Sequence, residues 1–208
     1  MNIDILVEKV RAVGILPVFC PKDEAELDTF LCAVLRAGLP AVEITLRSAY
    51  APRAIERIKF LAPTLFVGAG TVMTEAAADT AKAAGADFLV SPGYTPELVR
   101  YAEELGLPFI PGCATPSEIQ NAVRAGLSVL KLFPAECAGG AALLSLYAGA
   151  FSSVTFIPTG GITKENLKDY LAERNVAACG GSFMIEKKLL ADRNSAAIAE
   201  DMKRMMRK

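Results

Sequence analysis

The chain has 208 residues and a formal net charge of -1, and 52% of its residues are hydrophobic. This length and apolar content fit one globular domain over residues 1–208, and the even charge balance argues against nucleic acid as a partner. The five cysteines have no close pairs and histidine is absent, which excludes a Ser-His-Asp system and leaves no recognisable zinc site. Unpaired thiols, the lack of a signal-peptide core and the lack of a membrane-spanning apolar run predict a cytoplasmic protein.

Strand-like and helix-like segments alternate along the chain. An amphipathic helix is predicted at about Ile3 to Val13. Glycines end several helical stretches, as helix C-caps do: Gly38, Gly85, Gly106 and Gly126. The predicted strands are Ile15–Phe19, Ala41–Leu46, Leu65–Ala69, Phe88–Ser91, Pro108–Pro111, Val129–Phe133, Thr155–Pro158 and Ala177–Cys179. This alternation predicts an α/β fold, a (β/α)₈ TIM barrel with an extra N-terminal helix, with an open doubly wound sheet as the alternative.

The first strand ends in Pro17-Val18-Phe19-Cys20, and we interpret Cys20 as inert core. The second strand places Glu43, Thr45 and Arg47 on one face, because side chains alternate along a strand. The intervening residues are apolar and should face the helices, so the polar set should face the barrel interior. The two charged residues form either a structural ion pair or an acid-base group beside an anion receptor, for which arginine is well suited.

The third strand ends in Gly68-Ala69-Gly70-Thr71, where glycines allow backbone to approach a ligand and Thr71 offers a hydroxyl. The sixth predicted strand carries Lys131, a cation within an apolar run. Such a lysine reaches solvent, pairs with a carboxylate, or is held as an uncharged amine that attacks carbonyl carbon. By alternation Val129, Lys131 and Phe133 share the interior face, so Lys131 points toward Glu43 and Phe133 forms a partly dry wall beside it.

Glycine pairs follow the seventh and eighth strands, in Thr159-Gly160-Gly161 and Gly180-Gly181-Ser182. Barrels of this type bind phosphate at these two positions, because exposed backbone N–H groups meet there. Two such pairs together predict a phosphorylated small-molecule substrate.

These segments resemble those of a known family. The matching motifs are Val42-Glu43-Ile44-Thr45-Leu46-Arg47, Gly68-Ala69-Gly70-Thr71-Val72, Ser91-Pro92-Gly93, Pro111-Gly112-Cys113-Ala114-Thr115-Pro116-Ser117-Glu118, Lys131-Leu132-Phe133-Pro134-Ala135-Glu136, Pro158-Thr159-Gly160-Gly161-Ile162 and Gly180-Gly181-Ser182. Together they resemble the KDPG/KHG aldolases, which act on 2-keto-3-deoxy-6-phosphogluconate (KDPG) and 4-hydroxy-2-oxoglutarate (KHG). The likeness runs from about Ile15 to Ser182.

The resemblance implies a class I aldolase, a carbon-carbon lyase of carbohydrate metabolism in the Entner-Doudoroff pathway, without metal or cofactor and assembled as a homotrimer. It implies that Lys131 forms the Schiff base and that Glu43 is the acid-base residue. Arg47 and Thr71 would contact the substrate carboxylate, and Gly160, Gly161 and Ser182 the phosphate. Phe133 and Thr159 complete the implied substrate site. KDPG would be cleaved to pyruvate and glyceraldehyde 3-phosphate, and KHG to pyruvate and glyoxylate.

Three alternatives stay open on the sequence. The epimeric substrate 2-keto-3-deoxy-6-phosphogalactonate would use the same residues. A non-catalytic sugar-phosphate-binding barrel would need neither Lys131 nor Glu43. An isomerase or epimerase would leave Lys131 unexplained.

Overall fold

The structure is a computed structural model that describes residues 3–207, so residues 1, 2 and 208 of the predicted domain lie outside the described residues. The strands are β1 (Ile15–Phe19), β2 (Ala41–Thr45), β3 (Phe66–Gly70), β4 (Phe88–Val90), β5 (Phe109–Ile110), β6 (Val129–Leu130), β7 (Thr155–Phe156) and β8 (Cys179–Gly181). The helices are α1 (Ile3–Val13), α2 (Glu24–Ala37), α3 (Ala51–Leu61), α4 (Glu75–Ala83), α5 (Pro96–Glu104), α6 (Pro116–Arg124), α7 (Ala135–Ala138), α8 (Gly140–Ala150), α9 (Leu167–Ala172), α10 (Lys187–Ala191) and α11 (Ser195–Met205). No helix in this described range is long and apolar enough to cross a lipid bilayer.

The strands pair in parallel. Six of them form a curled sheet in the order β5-β4-β3-β2-β1-β8, and β6 pairs with β7. Isolated parallel bridges join Gly112 to Lys131, Phe156 to Val176, and Thr159 to Gly180. The predicted α/β class and parallel pairing are confirmed.

Several strands are shorter than the sequence predicts. Lys131 lies one residue beyond β6 rather than in the middle of a strand, although its N–H still donates to Pro111 O at 2.9 Å. The physical reason is proline, which lacks an N–H group and interrupts a ladder. Pro108 and Pro111 flank β5, and Pro158 follows β7 closely. The eighth strand is also shifted toward the C-terminus and ends at Gly181.

The strands divide the buried apolar side chains between two clusters. The larger cluster joins strand residues such as Ile44 and Leu130 to the helices around the sheet. The smaller cluster contains Leu16 and Val129 together with Leu6 and Val10 of α1. Helix α1 therefore packs against the strand side chains that point away from the surrounding helices.

Local capping signals are present where the sequence predicts them. Gly38, Gly85, Gly106 and Gly126 all have positive φ after a helix, between 67° and 85°, which glycine adopts without a steric penalty. Helix α6 begins with a complete capping box, in which Thr115 and Glu118 exchange hydrogen bonds with each other's backbone. These caps fix the residues at which the helices begin or end.

Two glycine substitutions should change stability in opposite directions. A Cβ on Gly68 would lie 2.3 Å from Cε2 of the fully buried Phe88, so we expect Gly68→Ala to lower the free energy of unfolding by about 1–3 kcal/mol. Gly149, exposed in α8, has nothing within 4 Å of such a Cβ, and Gly149→Ala should raise that free energy by about 0.5 kcal/mol. Urea unfolding followed by circular dichroism measures both. Equal changes in the free energy of unfolding for the two variants would contradict the close packing of Phe88 on Gly68.

Candidate active site

A cavity of about 470 Å³ opens at the carboxyl ends of the strands. Residues at or just beyond the ends of seven strands line it: β1, β2, β3, β4, β6, β7 and β8. The structure brings all nine of the sequence-predicted site residues to this one cavity: Glu43, Arg47, Thr71, Lys131, Phe133, Thr159, Gly160, Gly161 and Ser182. Its volume suits a small-molecule ligand.

Lys131 and Glu43 form a buried pair at the base of the cavity. Lys131 Nζ lies 3.4 Å from Glu43 Oε1, and the side chains are only 8% and 2% exposed. At this distance Lys131 Nζ donates a hydrogen bond to Glu43, and the carboxylate balances the charge of the amine. The Phe133 ring lies beside the amine, with its centroid 5.3 Å from Nζ, and supplies an apolar wall.

The alternation along β2 explains how a carboxylate and a guanidinium reach the same cavity. Glu43, Thr45 and Arg47 all line it, whereas Ile44 packs in the helix-side cluster, as the sequence predicts. Arg47 Nε donates to Thr45 Oγ1 at 3.3 Å, and Thr45 Oγ1 in turn donates to Phe19 O at 3.4 Å. Arg47 forms no salt bridge with any residue in 3–207, so its charge is available to an anionic ligand.

Gly70 provides the space that the Glu43 carboxylate occupies. A Cβ at Gly70 would lie 2.2 Å from Glu43 Oε1 and 2.8 Å from its Cδ. Because these two strands pair residue by residue, with Thr45 opposite Gly70, any side chain here would force the carboxylate away from Lys131.

Thr71 follows Gly70 with a φ of 63°, in the left-handed region. For a β-branched residue this conformation is uncommon and costs about 1–3 kcal/mol. Thr71 lies at the cavity wall, so the unusual backbone is found where its hydroxyl can meet a ligand.

The loop after β7 carries a second group of polar atoms. Thr159 is 7% exposed, and its Oγ1 has no hydrogen-bond partner among the described residues. Gly180 allows this hydroxyl to fit, because a Cβ there would lie 2.4 Å from it. Gly160 and Gly161 follow with φ of 98° and 80°, which expose backbone rather than side chain to the cavity.

Some lining residues were not predicted from the sequence. The interpretation of Cys20 as core is wrong, because Cys20 is half-buried and lines the cavity. Alternation from Leu16 through Val18 would have placed it on the inner face. Phe183 also lines the cavity, and only its position directly after the glycine pair and Ser182 hints at this.

Comparisons with known proteins agree with one another. The sequence model of the family described as "KDPG and KHG aldolase" matches residues 6–200. A 2-dehydro-3-deoxy-phosphogluconate aldolase of Pseudomonas aeruginosa is 43% identical over 93% of this chain and 88% of its own length. The KHG/KDPG aldolase of Escherichia coli K12 is 40% identical over 86% of this chain and 84% of its own length.

Solved structures give the same result. A KDPG aldolase from Legionella pneumophila, crystallised with pyruvate captured as a covalent carbinolamine intermediate, superposes with a TM-score of 0.91 at 34% identity. The match covers 97% of this chain and 98% of that one.

The cysteines should differ sharply in reactivity. Burial raises the pKa of the Cys113 and Cys179 thiols to about 12, so at about pH 8 only about 10⁻⁴ of each is the nucleophilic thiolate. Cys32 and Cys137 are exposed. We expect iodoacetamide to label the exposed pair in native protein and the buried pair only after unfolding, as measured by peptide mass mapping. Native labelling of Cys113 at the rate of Cys32 would contradict this.

Proposed function

The chain belongs to the KDPG and KHG aldolase family, and we propose that it is a class I aldolase that cleaves KDPG to pyruvate and glyceraldehyde 3-phosphate. The observation that carries the mechanism is the buried pair of Lys131 and Glu43 at 3.4 Å. A buried amine next to one carboxylate, at the base of an open cavity, is the arrangement that Schiff-base catalysis needs.

The first half of the reaction forms a covalent bond to the substrate. Lys131 passes a proton to Glu43, and its neutral Nζ then attacks the C2 ketone of KDPG to give a carbinolamine. The carbinolamine hydroxyl takes up this proton and leaves as water, which restores the Glu43 carboxylate and gives a protonated imine that can accept an electron pair. The Phe133 wall limits water around the imine and so slows its premature hydrolysis.

The second half breaks the C3–C4 bond. Glu43, through a water molecule, accepts the proton of the C4 hydroxyl. The C4 oxygen then becomes the aldehyde of glyceraldehyde 3-phosphate, and the bonding electrons pass into the imine to form an enamine. Glu43 returns a proton to C3, and water hydrolyses the pyruvyl imine to free pyruvate and the Lys131 amine.

The two ends of the substrate meet different parts of the cavity. The C1 carboxylate is placed against Arg47, whose guanidinium has no salt-bridge partner within residues 3–207, and against the Thr71 hydroxyl. The phosphate is placed against Gly160, Gly161 and Ser182. Thr159, whose hydroxyl has no partner among the described residues, lines the same cavity and directly precedes Gly160 in the chain.

KHG cleavage to pyruvate and glyoxylate is the second reaction of this proposal. KHG also has a C2 ketone, a C1 carboxylate and a C4 hydroxyl, so it can use Lys131, Glu43 and Arg47 without the phosphate loop. Activity on the galactonate epimer is not favoured, because curated relatives at 36–43% identity are named for the gluconate compound or for KHG and KDPG. A non-catalytic binder would not need the buried Lys131 and Glu43 pair.

We also propose that the sheet closes as an eight-stranded barrel in one domain. Support comes from the parallel pairing of β1 with β8 and from the isolated bridges. One bridge joins the residues that follow β5 and β6, and two join β7 and the residues after it to β8 and the residues before it. A homotrimer is supported by the family resemblance and by exposed apolar side chains, including Phe60 at 85%.

The free thiols support a reducing compartment such as the cytoplasm.

Borohydride trapping tests the covalent step. We expect reduction in the presence of pyruvate to leave an N-(1-carboxyethyl) group on Lys131 Nζ, seen by peptide mass mapping. Lys131→Met should lose the adduct and lower KDPG cleavage by at least about 10³-fold, since no other nucleophile replaces the amine. Circular dichroism shows whether this variant is folded. A folded wild-type protein without an adduct would overturn the mechanism.

Gly70→Ala tests the placement of Glu43. The new methyl group would displace the carboxylate from Lys131, so we expect kcat for KDPG cleavage to fall by about 10²-fold or more. Gly93→Ala is the matched control, because a Cβ at Gly93 has nothing within 4 Å, and its kcat should stay within about twofold. Equal kcat values for the two variants would refute the role of Gly70.

A further inference from the structure

Three polar side chains outside the cavity form a connected group behind the loop that follows β7. Glu136, on α7, accepts hydrogen bonds at Oε2 from Tyr170 OH at 2.6 Å and from Asn166 Nδ2 at 3.2 Å. None of the three lines the cavity. The mechanism above gives them no task, although Glu136 belongs to the same motif as Lys131.

The group holds the carbonyl side of the Gly160–Gly161 loop. Asn166 Nδ2 donates to Gly161 O at 3.2 Å, and the Glu136 N–H donates to Gly160 O at 3.0 Å. The preceding carbonyl, Thr159 O, accepts from Ala135 N at 2.9 Å. Three successive carbonyl groups are therefore bound by α7 and Asn166.

With the carbonyl groups held in this way, the N–H groups of the loop are left for a ligand. Neither Gly160 N–H nor Gly161 N–H donates a hydrogen bond to any residue in the described range 3–207. Both glycines have positive φ and line the cavity. Successive free N–H groups in such backbone form a concave site for an anion.

The group is itself rigidly held. Asn166 Oδ1 accepts from Thr163 N at 2.8 Å, which fixes the side-chain amide with its NH₂ toward Gly161. Tyr170 is only 1% exposed. Burial, together with the hydrogen bond to Glu136, raises the pKa of the Tyr170 hydroxyl well above its usual range, so it stays a donor at physiological pH. Glu136 also packs closely on the loop, because a Cβ at Gly161 would lie 2.4 Å from Glu136 Cβ.

We propose that Glu136, Asn166 and Tyr170 are positioning residues that keep the Gly160 and Gly161 N–H groups directed at the substrate phosphate. This inference rests on the proposed function and extends it. The three residues set the affinity for the phosphorylated end of the substrate and leave the covalent chemistry at Lys131 unchanged. Substitution of these three residues should therefore leave the reaction of a ligand without phosphate unchanged.

Two reactions of the same enzyme separate these effects. KDPG cleavage needs the phosphate loop, whereas exchange of the pyruvate methyl protons with solvent deuterium needs only the imine and enamine on Lys131. Asn166→Asp removes the NH₂ donor and places a carboxylate beside Glu136. We expect it to raise KM for KDPG about 10-fold, the loss of roughly one hydrogen bond, with kcat and the pyruvate exchange rate within about twofold.

Tyr170→Phe is the second variant, because it removes only the hydroxyl that holds Glu136. We expect a rise of about threefold in KM for KDPG and no change in pyruvate exchange. Asn121→Asp is the matched control: Asn121 is exposed on α6 and lines no part of the cavity, and the substitution adds the same charge. Its KM should equal that of wild type. If circular dichroism shows that Asn166→Asp does not fold, the KM of Tyr170→Phe and its pyruvate exchange rate test the inference on their own.

Two results would overturn the inference. One is an unchanged KM for KDPG in the folded variants. The other is an equal loss of KDPG cleavage and pyruvate exchange, which would indicate a general structural role. A wild-type protein that performs neither reaction would instead refute the proposed function, so the two failures are distinguishable.

Discussion

The buried contact between Lys131 and Glu43 is the constraint on which the rest of this structure depends. Removing two charges from water costs several kcal/mol for each ion, and the attraction between them returns this only when their geometry is well controlled. At 3.4 Å the contact is long, so the surrounding packing must hold both groups. Gly70 leaves room for the carboxylate, and the apolar cluster that includes Val129 fills the space below. Loss of either charge would leave the other buried alone, at a cost of about 3–5 kcal/mol.

The residues proposed for the covalent reaction and those proposed for phosphate binding lie on different kinds of structure. Glu43 lies on a paired strand and Lys131 directly beyond one, where backbone hydrogen bonds restrict motion. Gly160 and Gly161, which we propose bind the substrate's phosphate, lie in a loop where both have positive φ, and the direction of their N–H groups depends on packing from outside. This difference explains why the side chains of Glu136 and Asn166 hold the loop from outside the cavity.

Much of the site was predictable because strand alternation is a local property. Glu43 and Arg47 share a face with Thr45 whatever their tertiary partners, and Lys131 shares one with Phe133. The errors also have local causes. Strand lengths were overestimated because proline shortens the ladder without changing the direction of side chains. Cys20 was assigned to the core because its apolar neighbours suggested burial, although alternation from Leu16 places it at the cavity.

The sequence by itself determined the α/β class, the parallel pairing and nine of the residues that line the cavity, because these follow from periodicity, glycine positions and shared motifs. Only the tertiary structure decided which groups touch. The 3.4 Å contact joins residues 88 positions apart, and the space for it depends on a glycine of a neighbouring strand. The network behind the loop that follows β7 likewise joins Glu136 to Tyr170 across 34 positions. Such contacts depend on how separate strands and helices pack, and no periodicity within one segment encodes them.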